Sequence, residues 1–132
     1  MKGRIAMRPK ILVVDDAAST LGALSELLTD AGYDVLAAAD FDQARRQIDE
    51  GNPDLLLLDV RLGAYNGLHL AIRERMTHPH RPVIIITGFP DSTLEAEARH
   101  YGAEFLEKPI GTAALLALIR KLLGEPAVSA TE

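Results

Sequence analysis

Cysteine is absent from the 132 residues of this sequence, which excludes disulfides, cysteine-ligated zinc, iron–sulfur clusters and thiol nucleophiles. No apolar run approaches the roughly 18 residues that a membrane-spanning helix needs, and residues 5–7 are too few for the apolar segment of a signal peptide. Phosphate loops of the GxxxxGK(S/T) or GxGxxG type are also missing, which argues against nucleotide and dinucleotide binding. From these absences we expect a soluble, cytoplasmic protein.

Basic residues are the minority, since 19 acidic side chains outnumber 14 basic ones and give a net charge of −5. This balance argues against nucleic acid, and we expect neither nucleic acid nor a membrane as a partner. The length suits one domain. We expect this domain at residues 9–124, between an N-terminal extension (residues 1–8) and a flexible C-terminal tail (residues 125–132).

Five short apolar segments alternate with five segments of helical spacing. The apolar segments have the length of strands and lie at residues 11–14, 33–38, 55–58, 83–86 and 104–106. Several are apolar at every residue, which is typical of strands buried on both faces of a parallel sheet. The helical pattern covers residues 21–31, 41–48, 68–76, 94–101 and 113–123. The alternation predicts an α/β fold with helices on both faces of a parallel sheet.

Residues that favour helix ends agree with this division. A glycine follows each of four helical segments, where a left-handed C-cap residue belongs: Gly32, Gly51, Gly102 and Gly124. Ser92 and Glu95 have the spacing of a capping box, which predicts Ser92 as the N-cap of the fourth helix.

Polar residues follow the ends of four strands: Asp15 and Asp16, then Asp59, Thr87 and Lys108. Ligands of such sheets bind at the carboxyl ends of the strands. Each residue alone has a structural explanation, as a helix cap, a turn, a strand end or a solvated charge. Together, three carboxylates 4 Å apart would repel by roughly 4 kcal/mol per pair at a dielectric near 20, so a positive charge must lie among them. Lys108 supplies one, and an all-oxygen cluster suits Mg²⁺.

A carboxylate beside Mg²⁺, an amine and a hydroxyl is a reasonable site for accepting a phosphoryl group. The two cations would offset charge on the transferring oxygens, and Thr87 is placed to donate a hydrogen bond to one of them. Asp59 needs no separate general base, because an aspartate is ordinarily ionised at neutral pH.

These residues lie in four motifs that resemble the receiver domain of two-component response regulators. The motifs are ILVVDDAAS, LLLLDVRL, VIIITG and EFLEKP, and the resemblance covers about residues 9–123. It implies a flavodoxin-like (βα)5 fold, which is a doubly wound, five-stranded parallel sheet with strand order 2-1-3-4-5. Asp59 then resembles the phosphoacceptor, Asp16 the direct metal ligand and Asp15 the residue that holds a metal-bound water.

The resemblance also implies roles for residues around this acidic set. The carbonyl of Arg61 would complete the Mg²⁺ site. Thr87 and Lys108 resemble the pair that senses the phosphoryl group, and Phe105 resembles the aromatic switch. Gly63 stands where the family commonly has proline, which we expect to loosen the loop after the phosphoacceptor.

The implied function is a signalling switch and not an enzyme in the ordinary sense. A histidine kinase or a phosphotransfer protein donates the phosphoryl group to Asp59, in a Mg²⁺-dependent reaction that the domain itself catalyses, as it does the later hydrolysis. Two alternatives remain. A phosphorylation-independent docking module would share the fold, although it would usually lack an acid or the lysine. A Mg²⁺-dependent phosphohydrolase would carry two acids two residues apart after the first strand, whereas Asp15 and Asp16 are adjacent.

A partner-binding surface is expected on helix four, strand five and helix five, for a downstream protein or a second copy of the chain. The stripe of helix five that covers the sheet is predicted to consist of Leu115, Leu118, Ile119 and Leu122. Leu116 and Leu123 are then left over on an exposed face. We also expect Arg61 and Phe89 to shield the phosphorylated site from water.

Overall fold

The computed structural model describes residues 8–62, 65–88 and 91–124, and for residues 61–62 and 65–66 it describes the backbone alone. The strands of the main sheet are β1 (Lys10–Val14), β2 (Asp34–Ala38), β3 (Leu55–Asp59), β4 (Val83–Thr87) and β5 (Glu104–Glu107). The helices between and after them are α1 (Ala18–Asp30), α2 (Phe41–Gly51), α3 (Gly67–Thr77), α4 (Ser92–His100) and α5 (Thr112–Leu123). A short antiparallel pair, Arg61–Leu62 with Tyr65–Asn66, lies between β3 and α3.

All five strands are parallel, in the order β2-β1-β3-β4-β5, which confirms the predicted fold and strand order. The chain runs outward from β1 to β2 and returns to β3, so the order reverses between β1 and β3. Val14 is the register partner of Leu58 in this pair. The next residues, Asp15 and Asp59, therefore emerge side by side at the carboxyl edge of the sheet, where ligands of such folds bind.

The sheet is covered on both faces, which explains the unbroken apolar strands. Leu12 and Val14 of β1 belong to the core layer that includes residues of α2, α3 and α4. The intervening Ile11 and Val13 belong to the opposite layer, against α1 and α5. Because side chains alternate between the faces of a strand, burial on both faces requires an apolar residue at every position.

The helix ends agree with the sequence prediction at three of four glycines. Gly32, Gly102 and Gly124 have positive φ angles of 106°, 85° and 84°, as predicted. The prediction for Gly51 is wrong, because Gly51 is still helical and the left-handed residue is Asn52, with φ 49°. Asparagine tolerates this conformation better than most residues.

The capping box predicted at Ser92 is also wrong. The N-cap of α4 is Asp91, whose carboxylate accepts hydrogen bonds from the backbone N–H groups of Thr93 (3.0 Å) and Leu94 (3.2 Å). Ser92 is the first residue of the helix. An aspartate one position earlier reaches the same free N–H groups and adds a negative charge at the helix N-terminus, which the helix dipole favours.

Helix α5 buries a wider stripe than predicted. Leu115 and Ile119 are fully buried. Leu116 and Leu123, expected on an exposed face, are instead partly buried and pack against the same core layer as Leu118 and Leu122 do. That prediction is wrong because the apolar face of a core-packed helix exceeds about 100°. The exposed large hydrophobic residues in the described part of the chain are Met76 and Tyr101.

Arg8 contacts the end of α1, although we placed it in the N-terminal extension. Its guanidinium donates hydrogen bonds to the carbonyl oxygens of Gly32 (2.9 Å), Thr29 (3.1 Å) and Tyr33 (3.2 Å). A cation in this position is favoured by the negative end of the α1 dipole, and it bonds carbonyls of the last turn and of the residues that follow the helix. Arg8 is therefore in contact with the domain, while the boundaries at residues 9 and 124 stay predictions.

A buried ion pair lies at the amino edge of the sheet, where the strands begin. Glu74 of α3 is 3% exposed, and its Oε1 lies 3.0 Å from Nη1 of Arg81, which precedes β4. The second terminal nitrogen of Arg81 donates to Oδ1 of Asn52 at 2.9 Å. Nδ1 of His78 lies 3.2 Å from the same Glu74 oxygen. These contacts satisfy both buried charges within the domain.

Candidate functional site

Three carboxylates converge at the carboxyl edge of the sheet. Asp15 follows β1, and Asp59 is the last residue of β3. Both are buried, whereas Asp16 is exposed. One oxygen of each lies within 4.8 Å of the others. The backbone N–H of Ala17 donates to Oδ1 of Asp15 at 2.9 Å, which fixes the orientation of that carboxylate. The structure thus brings together the three acids that the sequence predicts.

Lys108 places one ammonium group among these carboxylates. Its Nζ lies 3.2 Å from Oδ2 of Asp15 and 3.5 Å from Oδ2 of Asp59, and its side chain is 28% exposed. Burial alone would lower the pKa of Lys108. The hydrogen bond with Asp15 and the charges of Asp59 and Asp15 outweigh burial and raise the pKa above the ordinary 10.5. Lys108 is therefore a cation at neutral pH.

Thr87 is the last residue of β4, the strand that lies between β3, which ends in Asp59, and β5, which precedes Lys108. It is 1% exposed, and its carbonyl oxygen accepts a hydrogen bond from the backbone N–H of Lys108 at 2.6 Å. This bond holds the ends of β4 and β5 together. The peptide bond between Lys108 and Pro109 is cis, which the sequence analysis did not predict.

Gly67 is a positioning residue that the sequence analysis missed. A Cβ atom at this position would overlap the carbonyl oxygen of Asp59 and lie 3.1 Å from Cα of Val60. The N–H of Gly67 also donates to the carbonyl oxygen of Val60 at 2.8 Å. Helix α3 therefore begins in direct contact with the end of β3. The available signal was a glycine at the start of a helix that follows an acidic strand end.

The remaining predicted site residues are only partly described. Arg61 lies in the short antiparallel pair, and the role of its carbonyl stays a prediction. Gly63 and Phe89 lie outside the described residues. Phe105 is 9% exposed and belongs to the core layer formed with α2, α3 and α4. The structure therefore holds the predicted aromatic switch in a buried position.

The donor set fits a small, hard cation. All three acids offer carboxylate oxygens, which Mg²⁺ prefers, and no softer ligand is part of the cluster. Two oxygens bound to one Mg²⁺ at about 2.1 Å are at most about 4.2 Å apart. The three oxygens lie within 4.8 Å of one another, which is close to that spacing.

The sequence pattern described as the response regulator receiver domain matches residues 11–120. This chain belongs to that family. Receiver domains of response regulators are signalling switches of two-component systems, not classical enzymes, and they interact with histidine kinases or phosphotransfer proteins. They generally bind Mg²⁺ through acidic residues. The phosphohydrolase alternative is thus left without support.

Known relatives agree on the family. The transcriptional regulatory protein CpxR of Klebsiella pneumoniae subsp. pneumoniae (strain HS11286) is 38% identical over 115 residues, which are 86% of this chain and 49% of that protein. The alkaline phosphatase synthesis transcriptional regulatory protein PhoP of Bacillus subtilis (strain 168) is 29% identical over 125 residues, covering 94% of this chain and 52% of that protein. The chain thus spans about half the length of these two curated relatives.

Solved structures share the fold. A CheY-like response regulator receiver domain protein from Methanospirillum hungatei JF-1 has a TM-score of 0.83 and 27% identity, covering 88% of this chain and 94% of that chain. The signal receiver domain of an HD domain-containing protein from Pseudomonas fluorescens Pf-5 has a TM-score of 0.83 and 32% identity, covering 89% of this chain and 95% of that chain. None of the helices in the described part of this receiver domain is long and apolar enough to cross a membrane.

Proposed function

We propose that this receiver domain accepts a phosphoryl group on Asp59 from a histidine kinase or a phosphotransfer protein, in a Mg²⁺-dependent reaction, and that phosphorylation changes its affinity for a partner. The observation that carries the proposal is the position of Lys108, whose ammonium lies within 3.5 Å of carboxylate oxygens from both central strands. Family membership supports it independently.

In the transfer step, Asp59 is the nucleophile and the phosphorylated histidine of the partner is the donor. An Oδ atom of Asp59 attacks the phosphorus of the phosphorylated donor, a phosphorus–oxygen bond forms, and the phosphorus–nitrogen bond of the donor histidine breaks. The imidazole nitrogen keeps the electron pair of the broken bond and is reprotonated by solvent. No proton leaves Asp59, so the reaction needs no general base.

The surrounding residues offset the charge that develops on the transferring oxygens. Lys108 supplies a permanent cation beside Asp59, and Thr87 is the hydroxyl expected to donate a hydrogen bond to a phosphoryl oxygen. Asp15 and Asp16 are the residues that would hold Mg²⁺ together with Asp59 and the carbonyl of Arg61. When bound, this ion supplies a second positive charge at the phosphoryl oxygens.

A shallow groove beside Lys108 offers the donor an approach to the site. Ser19, Thr20, Ala23 and Leu24 of α1 line one side, and Pro109 and Ile110 line the other. Its mixed hydroxyl and apolar lining suits a protein surface that carries a phosphorylated histidine.

The response to phosphorylation is expected to involve Thr87 and Phe105. A move of Thr87 toward the phosphoryl group would change the packing around Phe105 and so alter the surface of α4, β5 and α5, which would bind a downstream protein or a second copy. We further propose a cytoplasmic location, where kinases of this class present their donor histidine. That nucleic acid is not a direct partner of this domain stays a prediction.

The test is phosphorylation by acetyl phosphate with Mg²⁺, followed by intact mass spectrometry. The wild-type domain is expected to gain the mass of one phosphoryl group, and Asp59→Asn is expected to gain none. Asp49→Asn, an exposed residue of α2, is the matched control and should be phosphorylated like the wild type. Equal phosphorylation of Asp59→Asn and the wild type would overturn the assignment.

A further inference from the structure

The outward side of α3 carries the most exposed large hydrophobic residue of the described chain. Met76 is 71% exposed, while the other exposed large hydrophobic, Tyr101, is 38% exposed. Met76 lines an open groove with Ile72, Thr77, His69 and Arg73, which we call the α3 groove. Single exposed hydrophobic residues are ordinary on protein surfaces. A methionine at the wall of a mostly apolar groove is a different feature, because methionine adapts its shape to varied partners.

One cationic side chain, Arg73, lines the α3 groove. Arg73 is exposed, and its guanidinium forms no ion pair with any residue that the structure describes. The carboxylate next to it in sequence, Glu74, is buried and paired with Arg81 at the amino edge of the sheet. No acidic side chain is among the residues that line the groove. This local charge contrasts with the net charge of −5 of the whole chain.

We propose that the α3 groove is a docking surface for an acidic segment of a partner protein. One apolar side chain of that segment packs against Ile72 and Met76, and a neighbouring carboxylate forms a bidentate pair with Arg73. Arginine and methionine are enriched in protein interfaces, and the planar guanidinium matches a carboxylate in geometry. None of the groove residues belongs to the phosphoacceptor site, so this surface does not depend on the proposed phosphorylation.

The probe is a synthetic amphipathic peptide of leucine and glutamate, compared with the same peptide in which every glutamate is lysine. The chain has three methionines, and Met76 is the one that lines the groove among the described residues, so its signal reports on binding there. With methyl-labelled methionine, the acidic peptide is expected to give a saturable shift of the Met76 signal. The lysine peptide should bind about tenfold more weakly or worse, and added salt should weaken the acidic complex.

Two charge-reversal variants separate the groove from the general charge of the domain. Arg73→Glu is expected to lower the affinity for the acidic peptide by about tenfold or more. Arg46→Glu, on the exposed surface of α2, makes the same change in net charge outside the groove and should leave the affinity nearly unchanged. Both substitutions are at exposed positions, and circular dichroism verifies that both variants are folded.

Several results would overturn the proposal. These are a Met76 signal that does not shift, equal binding of the two peptides, or equal effects of Arg73→Glu and Arg46→Glu. Sedimentation of the wild type and Arg73→Glu without peptide tests another occupant. If Arg73→Glu abolishes a self-association of the wild type, a second copy covers the groove and the proposed partner is wrong.

Discussion

The two edges of the sheet handle buried charge in opposite ways. At the amino edge, the single buried carboxylate of Glu74 is matched by Arg81, which Asn52 also binds. At the carboxyl edge, three carboxylates accompany the single ammonium of Lys108. The first arrangement is complete within the domain. The second carries more negative than positive side chains in its cluster, which favours an added cation and a group that is stabilised by cations.

The comparison separates a buried ion pair that stabilises the fold, at the amino edge, from a charged cluster suited to ligand binding, at the carboxyl edge. A satisfied buried pair costs little once formed but is costly to break. A cluster of like charges lowers the free energy of unfolding, and each cation that binds to the cluster raises it again. The two edges should therefore respond to mutation with opposite signs.

The largest effect on stability is expected from Glu74→Ala. This change leaves the buried guanidinium of Arg81 without its counterion, which should lower the free energy of unfolding by about 3–5 kcal/mol in urea titrations. Glu97→Ala, at an exposed position of α4, is the control and should change it by no more than about 0.5 kcal/mol. An equal, small effect of both variants would mean that the amino edge contributes no more than surface charge.

Magnesium is expected to stabilise the domain through the carboxyl edge alone. At a free concentration about 100 times its dissociation constant, Mg²⁺ should raise the free energy of unfolding by about 2.7 kcal/mol. Asp16→Asn should remove most of this gain, whereas Glu74→Ala should keep it even though the variant is less stable. Thermal unfolding with Mg²⁺ and with EDTA measures both, and an undiminished gain in Asp16→Asn would contradict the ligand assignment.

Without Mg²⁺, removal of one carboxylate from the carboxyl edge should stabilise the domain. Asp59→Asn relieves repulsion among the acids while Asp15 still binds Lys108, so the free energy of unfolding should rise by about 1 kcal/mol in EDTA. Asp49→Asn again serves as the control. A loss of stability comparable to that of Glu74→Ala would show that the two edges do not differ in the way described.

The smallest effect concerns the pH dependence of Lys108. Its pKa is raised in the folded state, so its contribution to stability is complete below the unfolded-state value of 10.5 and is lost as the pH rises through the higher folded-state pKa. The stability difference between the wild type and Lys108→Gln should be constant from about pH 6 to pH 9 and shrink above about pH 10.5. Lys121→Gln, exposed on α5, controls for general alkaline effects. A difference that already shrinks near pH 8 would contradict the raised pKa.

Strand periodicity predicted the α/β class and the sheet edge that carries the acids, whereas the strand order 2-1-3-4-5 was implied by the resemblance to receiver domains. Strands apolar at every residue indicate a sheet covered on both faces, and the residues after such strands meet at one edge. Asp15 and Asp59 could thus be placed together although 44 positions separate them in the sequence. Lys108 and Thr87 followed by the same argument.

Features that depend on the rotation of a helix against the sheet, or on how far a side chain extends, could not be predicted from strand periodicity. The choice of Asp91 over Ser92 as N-cap depends on which side chain reaches the free N–H groups. The burial of Leu116 depends on how α5 is rotated against the sheet, which its leucine-rich sequence leaves ambiguous. The Glu74–Arg81 pair joins a helix to the start of a strand and has no periodic signal.

Lys108 also connects parts of the sheet that are not neighbours. It follows β5, an edge strand, yet its ammonium contacts carboxylates at the ends of β1 and β3, so its side chain extends past the end of β4. A change of charge at Asp59 therefore acts directly on a residue of the periphery. This electrostatic effect on Lys108 requires no movement of the central strands, which are buried on both faces. The segment that leads into α5 is thus coupled to the middle of the domain by charge, in addition to the backbone hydrogen bond between Lys108 and Thr87.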